Sequence, residues 1–170
     1  MSVEIYLDLA DVPGAVTNRD HKGWIELLTC DWGFARGRPR ATAGKRAPPI
    51  TGGNEIRVTK NIGLESASLM DLCASGAVSE RAQISIIPSV GKREVQRKYI
   101  LITLENVFIK SIKTTGLNTE SLFTEEIVLG FRKFGFEYFL PVSGDQTAQA
   151  AKAESRAFEY DFASQSTVTE

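Results

Sequence analysis

Apolar and polar residues alternate with a period of two along most of the chain, which is the pattern of β-strands that bury one face. In the first predicted strand, residues 3–9, the odd positions are apolar, whereas Glu4 and Asp8 lie on the opposite face. Glycine-containing turns such as Pro13-Gly14 separate the alternating stretches. The remaining predicted strands cover residues 24–34, 54–60, 82–87, 95–112, 122–138 and a stretch around 158–162.

Two of these predicted strands are irregular. Glu105-Asn106 interrupts the stretch 95–112, and we expect a bend or a bulge there. In 122–138 the apolar residues move from odd to even positions near Arg132-Lys133, and one extra residue at that point returns all of them to one face. Residues 99–102 are apolar on both faces, which predicts a strand that is covered on both sides.

One segment has the period of a helix instead. Ser66 or Ser68 is placed to cap it, and Gly76 is placed to end it in a left-handed conformation. The apolar stripe of this helix consists of Leu69, Leu72, Cys73 and Ala77. Several short strands and one short helix predict a mainly β fold, a small β-barrel of two sheets with the helix packed at its side. A chain of 170 residues fits a single domain spanning 1–170.

Composition and charge exclude several classes of protein. Hydrophobic residues make up 42% and charged residues 24% of the chain, which is ordinary for a globular protein in water. No run approaches the roughly 20 apolar residues that a membrane helix needs, so we expect no membrane insertion. The first residues carry acids where a signal peptide has basic ones, which predicts synthesis and residence in the cytoplasm. Export by a machine that needs no signal peptide stays open.

The segment from about 34 to 53 has no period and is rich in glycine and proline, so we expect it to project as a functional loop. Its cations, with no acid among them, are Arg36, Arg38, Arg40, Lys45 and Arg46. Residues 119–170, in contrast, contain nine acids and four bases. Three interpretations are open: a solvated loop, a nucleic-acid contact, or a contact with the acidic half of another copy. No aromatic residue follows Phe34 in the segment to stack on bases, which disfavours nucleic acid.

Candidate chemistry is sparse. His21 is the one histidine of the chain, and we expect it to be a turn residue bonded to nearby backbone. Cys30 and Cys73 lie among apolar neighbours, which predicts buried free thiols, and the chain lacks the ligands of a zinc site. Glu125 and Glu126 point to opposite faces of a strand, so they do not form a catalytic pair. We therefore expect no enzyme activity, no cofactor and no metal.

The most informative stretch, Asp20 to Gly33, holds His21-Lys22-Gly23-Trp24 and then Trp32-Gly33. This order resembles the signature of the Hcp family, the tube-forming proteins of type VI secretion systems. The resemblance extends along nearly the whole chain, through Val58-Thr59-Lys60, Asn106-Val107 and residues 131–138. Cys30 departs from the family pattern, where serine is commoner.

The resemblance implies a structural function without a catalytic step. Six copies would close into a ring, and the rings would stack into a hollow tube that carries effector proteins in its lumen. A contractile sheath and a spike would be its further partners, and the type VI machine would secrete it without a signal peptide. The basic residues of 34–53 are then candidates for the ring-stacking interface. The alternative is a β-barrel that binds a small ligand; four large residues expected to fill the interior argue against it, namely Trp24, Trp32, Phe134 and Phe136.

Overall fold

The computed structural model describes residues 3–36, 50–88, 99–116, 122–139 and 155–167. Within these ranges the chain forms twelve strands and one helix, which confirms the predicted mainly β fold with one short helix. In chain order the elements are β1 (Val3–Leu9), β2 (Ile25–Leu27), β3 (Thr29–Trp32), β4 (Ala35–Arg36), β5 (Ile50–Gly52), β6 (Glu55–Asn61), α1 (Ser66–Ser75), β7 (Ser79–Pro88), β8 (Ile100–Thr115), β9 (Thr124–Gly130), β10 (Lys133–Phe139), β11 (Ser155–Asp161) and β12 (Ser166–Thr167).

The strands pair antiparallel in two halves that share the long strand β8. The first half has the order β12-β11-β10-β8-β7-β1-β2, and the second half has the order β3-β6-β9-β8. Up to Val107, β8 pairs with β7 and β10, and from Phe108 onwards it pairs with β9. Strands β4 and β5 form a separate two-stranded ribbon. Buried aliphatic residues from both halves form one core, so the halves enclose it together.

The predicted irregularity at Glu105-Asn106 is confirmed. Asn106 has a positive φ of 52°, and it falls where β8 changes from one half to the other. A second irregularity of β8 lies between Ile109 and Ser111. The bends let one strand serve two differently oriented halves.

Two predicted strands are divided, and in this respect the prediction is wrong. The stretch 24–34 breaks at Leu28, whose N–H donates to the Thr59 carbonyl at 2.7 Å, so the chain leaves β1 and joins β6. The stretch 122–138 breaks between β9 and β10, where Arg132 N–H donates to the Glu105 carbonyl at 3.0 Å. The change of parity therefore comes from a crossing between the halves and not from an extra residue within one strand.

Burial follows the predicted faces in most strands. Ile56 and Val58 of β6 point into the core, and Leu101 and Ile102 of β8 are both buried, as expected for a strand covered on both sides. Of the four large residues expected to fill the interior, only Phe134 is fully buried. The other three are half-buried: Trp24, Trp32 and Phe136. Aliphatic side chains fill most of the core.

Helix α1 ends as predicted but begins differently. Gly76 has a φ of 67°, and its N–H donates to the Leu72 carbonyl at 3.1 Å. At the other end Glu65 occupies the N-cap position without a side-chain cap, and the predicted cap Ser66 is the first residue of the helix, where its Oγ accepts a hydrogen bond from Gly63 N–H. Leu69 is the fully buried residue of the predicted stripe.

Candidate functional site

The signature stretch folds as a turn whose imidazole is buried. His21 N–H donates to the Asn18 carbonyl at 3.2 Å, and the His21 side chain is 2% exposed. Its Nε2 lies 3.0 Å from Ser85 Oγ, its ring stacks on Tyr6 at 4.7 Å, and its edge meets Trp24 at 4.8 Å. The expectation of a turn residue bonded to nearby backbone is confirmed through the main chain of His21, and its imidazole has in addition a hydroxyl partner, Ser85, on β7. His21 joins the turn to β1 and β7, which is a structural role.

Glycines allow the turn to pack against Trp24. Gly23 has a φ of 80°, and Gly23 N–H donates to the Val16 carbonyl at 2.8 Å. A Cβ on Gly14 would lie 2.1 Å from the Trp24 carbonyl oxygen, so only glycine fits there. Lys22, between these contacts, is exposed.

Trp32 and Gly33, the second part of the signature, line an open cleft of about 450 Å³ at the end of β3. Its other lining residues are Asp31, Gly53, Glu55 and Arg57. A small-ligand pocket is mostly apolar and enclosed, whereas this cleft is open and rimmed by charges. It does not support the ligand-binding alternative.

The predicted ring-stacking residues are only partly described. Arg36 lies exposed on β4 of the ribbon. Arg38, Arg40, Lys45 and Arg46 lie outside the described residues. Their role in stacking stays a prediction.

A buried ion network was not predicted from the sequence. Lys60 is 1% exposed, and its Nζ lies 3.0 Å from Glu125 Oε2 and 2.8 Å from Glu65 Oε1. The same Nζ donates to the Asn61 carbonyl at 2.6 Å and to Ser66 Oγ at 3.2 Å, while the Ser66 hydroxyl donates to Glu125 Oε2 at 2.7 Å. The network joins β6, β9 and the first turn of α1. Sequence parity carried a signal for it, since Lys60 shares the inward face of Ile56 and Val58.

Large apolar side chains are exposed next to this network. Leu64, just before α1, is 94% exposed, and Leu122 and Phe123, just before β9, are about half exposed. Ile62 N–H donates to the Phe123 carbonyl at 2.9 Å, which brings these segments together. We call Ile62, Leu64, Leu122 and Phe123 the apolar patch. Large exposed apolar patches often mark surfaces that contact other molecules, so these four side chains are a candidate contact surface.

The cysteines are free but only half-buried, so the expectation of full burial is wrong. Burial, followed by the charge of Asp31, raises the pKa of the Cys30 thiol to about 12. A thiol that stays protonated at neutral pH is a poor nucleophile. Among the described residues, no three histidine, cysteine or acidic side chains are grouped to hold a metal ion. In the same part of the chain, no helix is long and apolar enough to cross a membrane.

The fold is that of known type VI secretion proteins. A solved structure described as a type six secretion system protein matches with a TM-score of 0.81 and 18% identity, covering 98% of this chain and 100% of that chain. Hcp1 of Salmonella typhimurium matches with a TM-score of 0.77 and 18% identity, covering 99% of this chain and 100% of that chain. At this identity the two structures establish the fold alone.

Sequence comparison establishes the family. The family described as type VI secretion system effector, Hcp, matches residues 6–138. Protein hcp1 of Pseudomonas aeruginosa is 27% identical over 138 residues, which are 81% of this chain and 84% of that protein. The chain therefore belongs to the Hcp family of type VI secretion proteins, as the signature from His21 to Gly33 predicted. This is a family of secreted tube proteins and not a known family of enzymes.

Proposed function

We propose that this chain is the structural subunit of a type VI secretion inner tube, in which six copies form a ring and rings stack into a hollow conduit. Membership of the Hcp family carries the proposal. Residues 1–170 would act as one tube domain from which the basic segment of about 34–53 projects. No catalytic step is required.

The exposed apolar patch supports an assembled state. Leu64 is almost fully exposed in the single chain, and burying it against another copy would contribute about 1.5–3 kcal/mol. A head-to-tail contact that closes generates a ring, and a second such contact along the axis generates a tube. The ligand-binding alternative is less well supported, because aliphatic side chains fill the space between the two halves.

Analytical ultracentrifugation with electron microscopy tests the ring. We expect a species of six chains at micromolar concentration and ring-shaped particles. Leu64→Ser should weaken the ring, whereas the same change at Leu122, which is half exposed, should have a smaller effect. A stable monomer of the parent protein would contradict the proposal.

Stacking by the basic segment is the second part of the proposal. Exposed ion pairs contribute only about 0.2–1 kcal/mol each, but six copies at each junction multiply the effect. Tube growth should therefore fall as salt rises, because the screening length decreases from about 10 Å at 0.1 M to about 3 Å at 1 M.

A charge-reversal experiment separates stacking from ring formation. Replacing Arg36, Arg38 and Arg40 by Glu should leave rings intact and stop tube growth. The matched control replaces Arg19, Lys22 and Arg81, which are exposed elsewhere, and should leave tube growth unchanged. If the first variant loses its rings or grows tubes as the parent does, the segment has another function.

The remaining partners follow from the same proposal. A contractile sheath and a spike would contact the assembled tube in the cytoplasm, and effector proteins would occupy its lumen. Secretion would use the type VI machine without a signal peptide. Effectors that copurify with rings and resist protease until the rings are dissociated would support a luminal location, whereas equal digestion before and after dissociation would contradict it.

A further inference from the structure

The β4–β5 ribbon leaves the body of the protein at two residues that contact each other. Phe34 immediately precedes β4, and Gly53 immediately follows β5. Gly53 has a φ of 106°, which L side chains rarely adopt. A Cβ at this position would also lie 2.5 Å from the Gly33 carbonyl oxygen and 2.7 Å from Phe34 Cδ1. Both the backbone conformation and the available space therefore require glycine.

Phe34 connects the ribbon to an aromatic cluster of the first half. Its ring meets Phe134 edge-on at 5.0 Å and Phe158 at 5.8 Å, and it stacks with Phe162 at 6.0 Å and an angle of 14°. Phe134 belongs to the buried core. Aromatic pairs in these arrangements contribute about 0.5–1.5 kcal/mol beyond the area they bury. Phe34 is thus the point at which the ribbon is attached to the core.

Within the described residues, the ribbon beyond this base consists of short strands alone. Its strands have two and three residues, and their register shifts between Ala35 and Arg36. An isolated two-stranded ribbon is at best marginally stable in water. We therefore expect its direction to be set where it joins the body.

We propose that Phe34 and Gly53 are positioning residues that fix the direction in which the ribbon, with Arg36 on it, leaves the subunit. This inference rests on the proposed function, because a fixed direction matters when the ribbon joins one ring to the next. The pair would act through the ribbon and need not contact the neighbouring ring.

Adjacent glycines provide a matched test. Among the described residues, a Cβ on Gly52 would meet only Ala35 Cβ, at an ordinary 3.6 Å, so Gly52→Ala is the control for Gly53→Ala. Amide hydrogen exchange of residues 35–36 and 50–52 is measured at a protein concentration at which electron microscopy shows no tubes. We expect Gly53→Ala to accelerate this exchange about tenfold or more, and Gly52→Ala to change it by less than about twofold. Equal exchange in the two variants would overturn the proposal.

The aromatic contact is tested by variants at Phe34 and Phe158. The two side chains are similarly exposed, 41% and 38%, and contact each other, but only Phe34 adjoins the ribbon. Phe34→Ala should accelerate ribbon exchange and shorten tubes while rings persist, and Phe34→Tyr should restore both. Phe158→Ala removes one of the three ring contacts of Phe34 and should accelerate ribbon exchange less than Phe34→Ala does. Parent-like exchange in Phe34→Ala, or the same acceleration in Phe158→Ala, would overturn the proposal.

Amide exchange of the ribbon and tube length are two separate measurements, and together they distinguish failure of this inference from failure of the proposed function. If the parent protein grows no tubes, the stacking proposal fails, while the exchange difference between Gly53→Ala and Gly52→Ala still decides whether the base holds the ribbon. If exchange changes as expected but tube length does not, the base holds the ribbon without positioning it for stacking, and the inference fails alone.

Discussion

Replacing Lys60 by methionine should be among the most destabilising changes available in the described part of the chain. Methionine keeps much of the volume of the lysine side chain but removes the ammonium group that Glu125 and Glu65 share. Glu125 is 0% and Glu65 is 8% exposed, so both carboxylates would remain away from water without their cation. Glu125 Oε1 already has no hydrogen-bond donor among the described residues.

The expected magnitude follows from this burial. Removing one partner of a buried ion pair costs about 3–5 kcal/mol, because the remaining charge is uncompensated. For a protein of this size, about 1 kcal/mol corresponds to about 2–4 °C in Tm. Lys60→Met should therefore lower Tm by roughly 6–20 °C.

Lys110 offers a matched control. Its Nζ lies 2.9 Å from Glu55 Oε2, nearly the same separation as in the Lys60–Glu125 pair, but the two side chains are 39% and 47% exposed. Water screens an exposed pair, so Lys110→Met should change the free energy of unfolding far less than Lys60→Met does. The two ion pairs have nearly the same separation but differ in their exposure to solvent, so comparing the two variants tests the effect of burial.

Urea unfolding followed by tryptophan fluorescence measures both variants. All chains are compared at one subunit concentration, because the stability of an oligomer depends on concentration. Adding Glu125→Leu to Lys60→Met should recover part of the loss, since a carboxylate that lacks its cation is then removed from the core. If Lys60→Met costs less than about 1 kcal/mol, or no more than Lys110→Met, the network does not stabilise the fold as argued.

Three further outcomes are expected. The double variant Cys30→Ser and Cys73→Ser should still assemble into rings, and native Cys30 should react slowly with thiol reagents. Burial raises the pKa of the Cys30 thiol from about 9 to about 12. The contribution of this thiol to the free energy of unfolding is therefore constant below pH 9 and is lost as the pH rises from 9 to 12. His21→Ala should lower the free energy of unfolding by about 1–3 kcal/mol, because Ser85 Oγ loses its buried partner. An enzymatic activity that this change specifically abolished would contradict the structural role of His21. Gly14→Ala should cost about 1–3 kcal/mol through overlap with the Trp24 carbonyl. Gly33→Ala is the control, because a Cβ there meets no described atom within 4 Å, and it should be nearly neutral in the same urea titration.

Local periodicity predicted the faces of most strands and missed the breaks between strands. Ile56 and Val58 point inward as their alternation requires, and Asn106 bends β8 where two polar residues interrupt an apolar run. The local alternation pattern is the same for a strand that contains a bulge and for a chain that crosses from one half of the fold to the other. The break at Leu28 depends on Thr59, and the break at Arg132 depends on Glu105. These partners are distant in sequence, so single-sequence periodicity could not identify them.

In the candidate site, too, local features were predictable from the sequence and distant partners were not. The residues from His21 to Gly33 identified the family because their order is local, but the partner of the imidazole, Ser85, is 64 positions away. Lys60 falls on the inward face by parity alone. Its carboxylate partner, Glu125, is 65 positions away, and only the pairing of β6 with β9 brings the two together.

The buried ion network lies on the same segments of the chain that expose the apolar patch. Lys60 Nζ has acceptors on Asn61, Ser66, Glu65 and Glu125, and these groups can meet it together in few arrangements of β6, α1 and β9. The segments that carry them are the same segments that expose Ile62, Leu64 and Phe123. An exposed apolar side chain contributes most to association when its backbone is already fixed, because less conformational entropy is lost on binding. The buried charges would therefore support assembly by holding the apolar patch in place, although none of them reaches the surface.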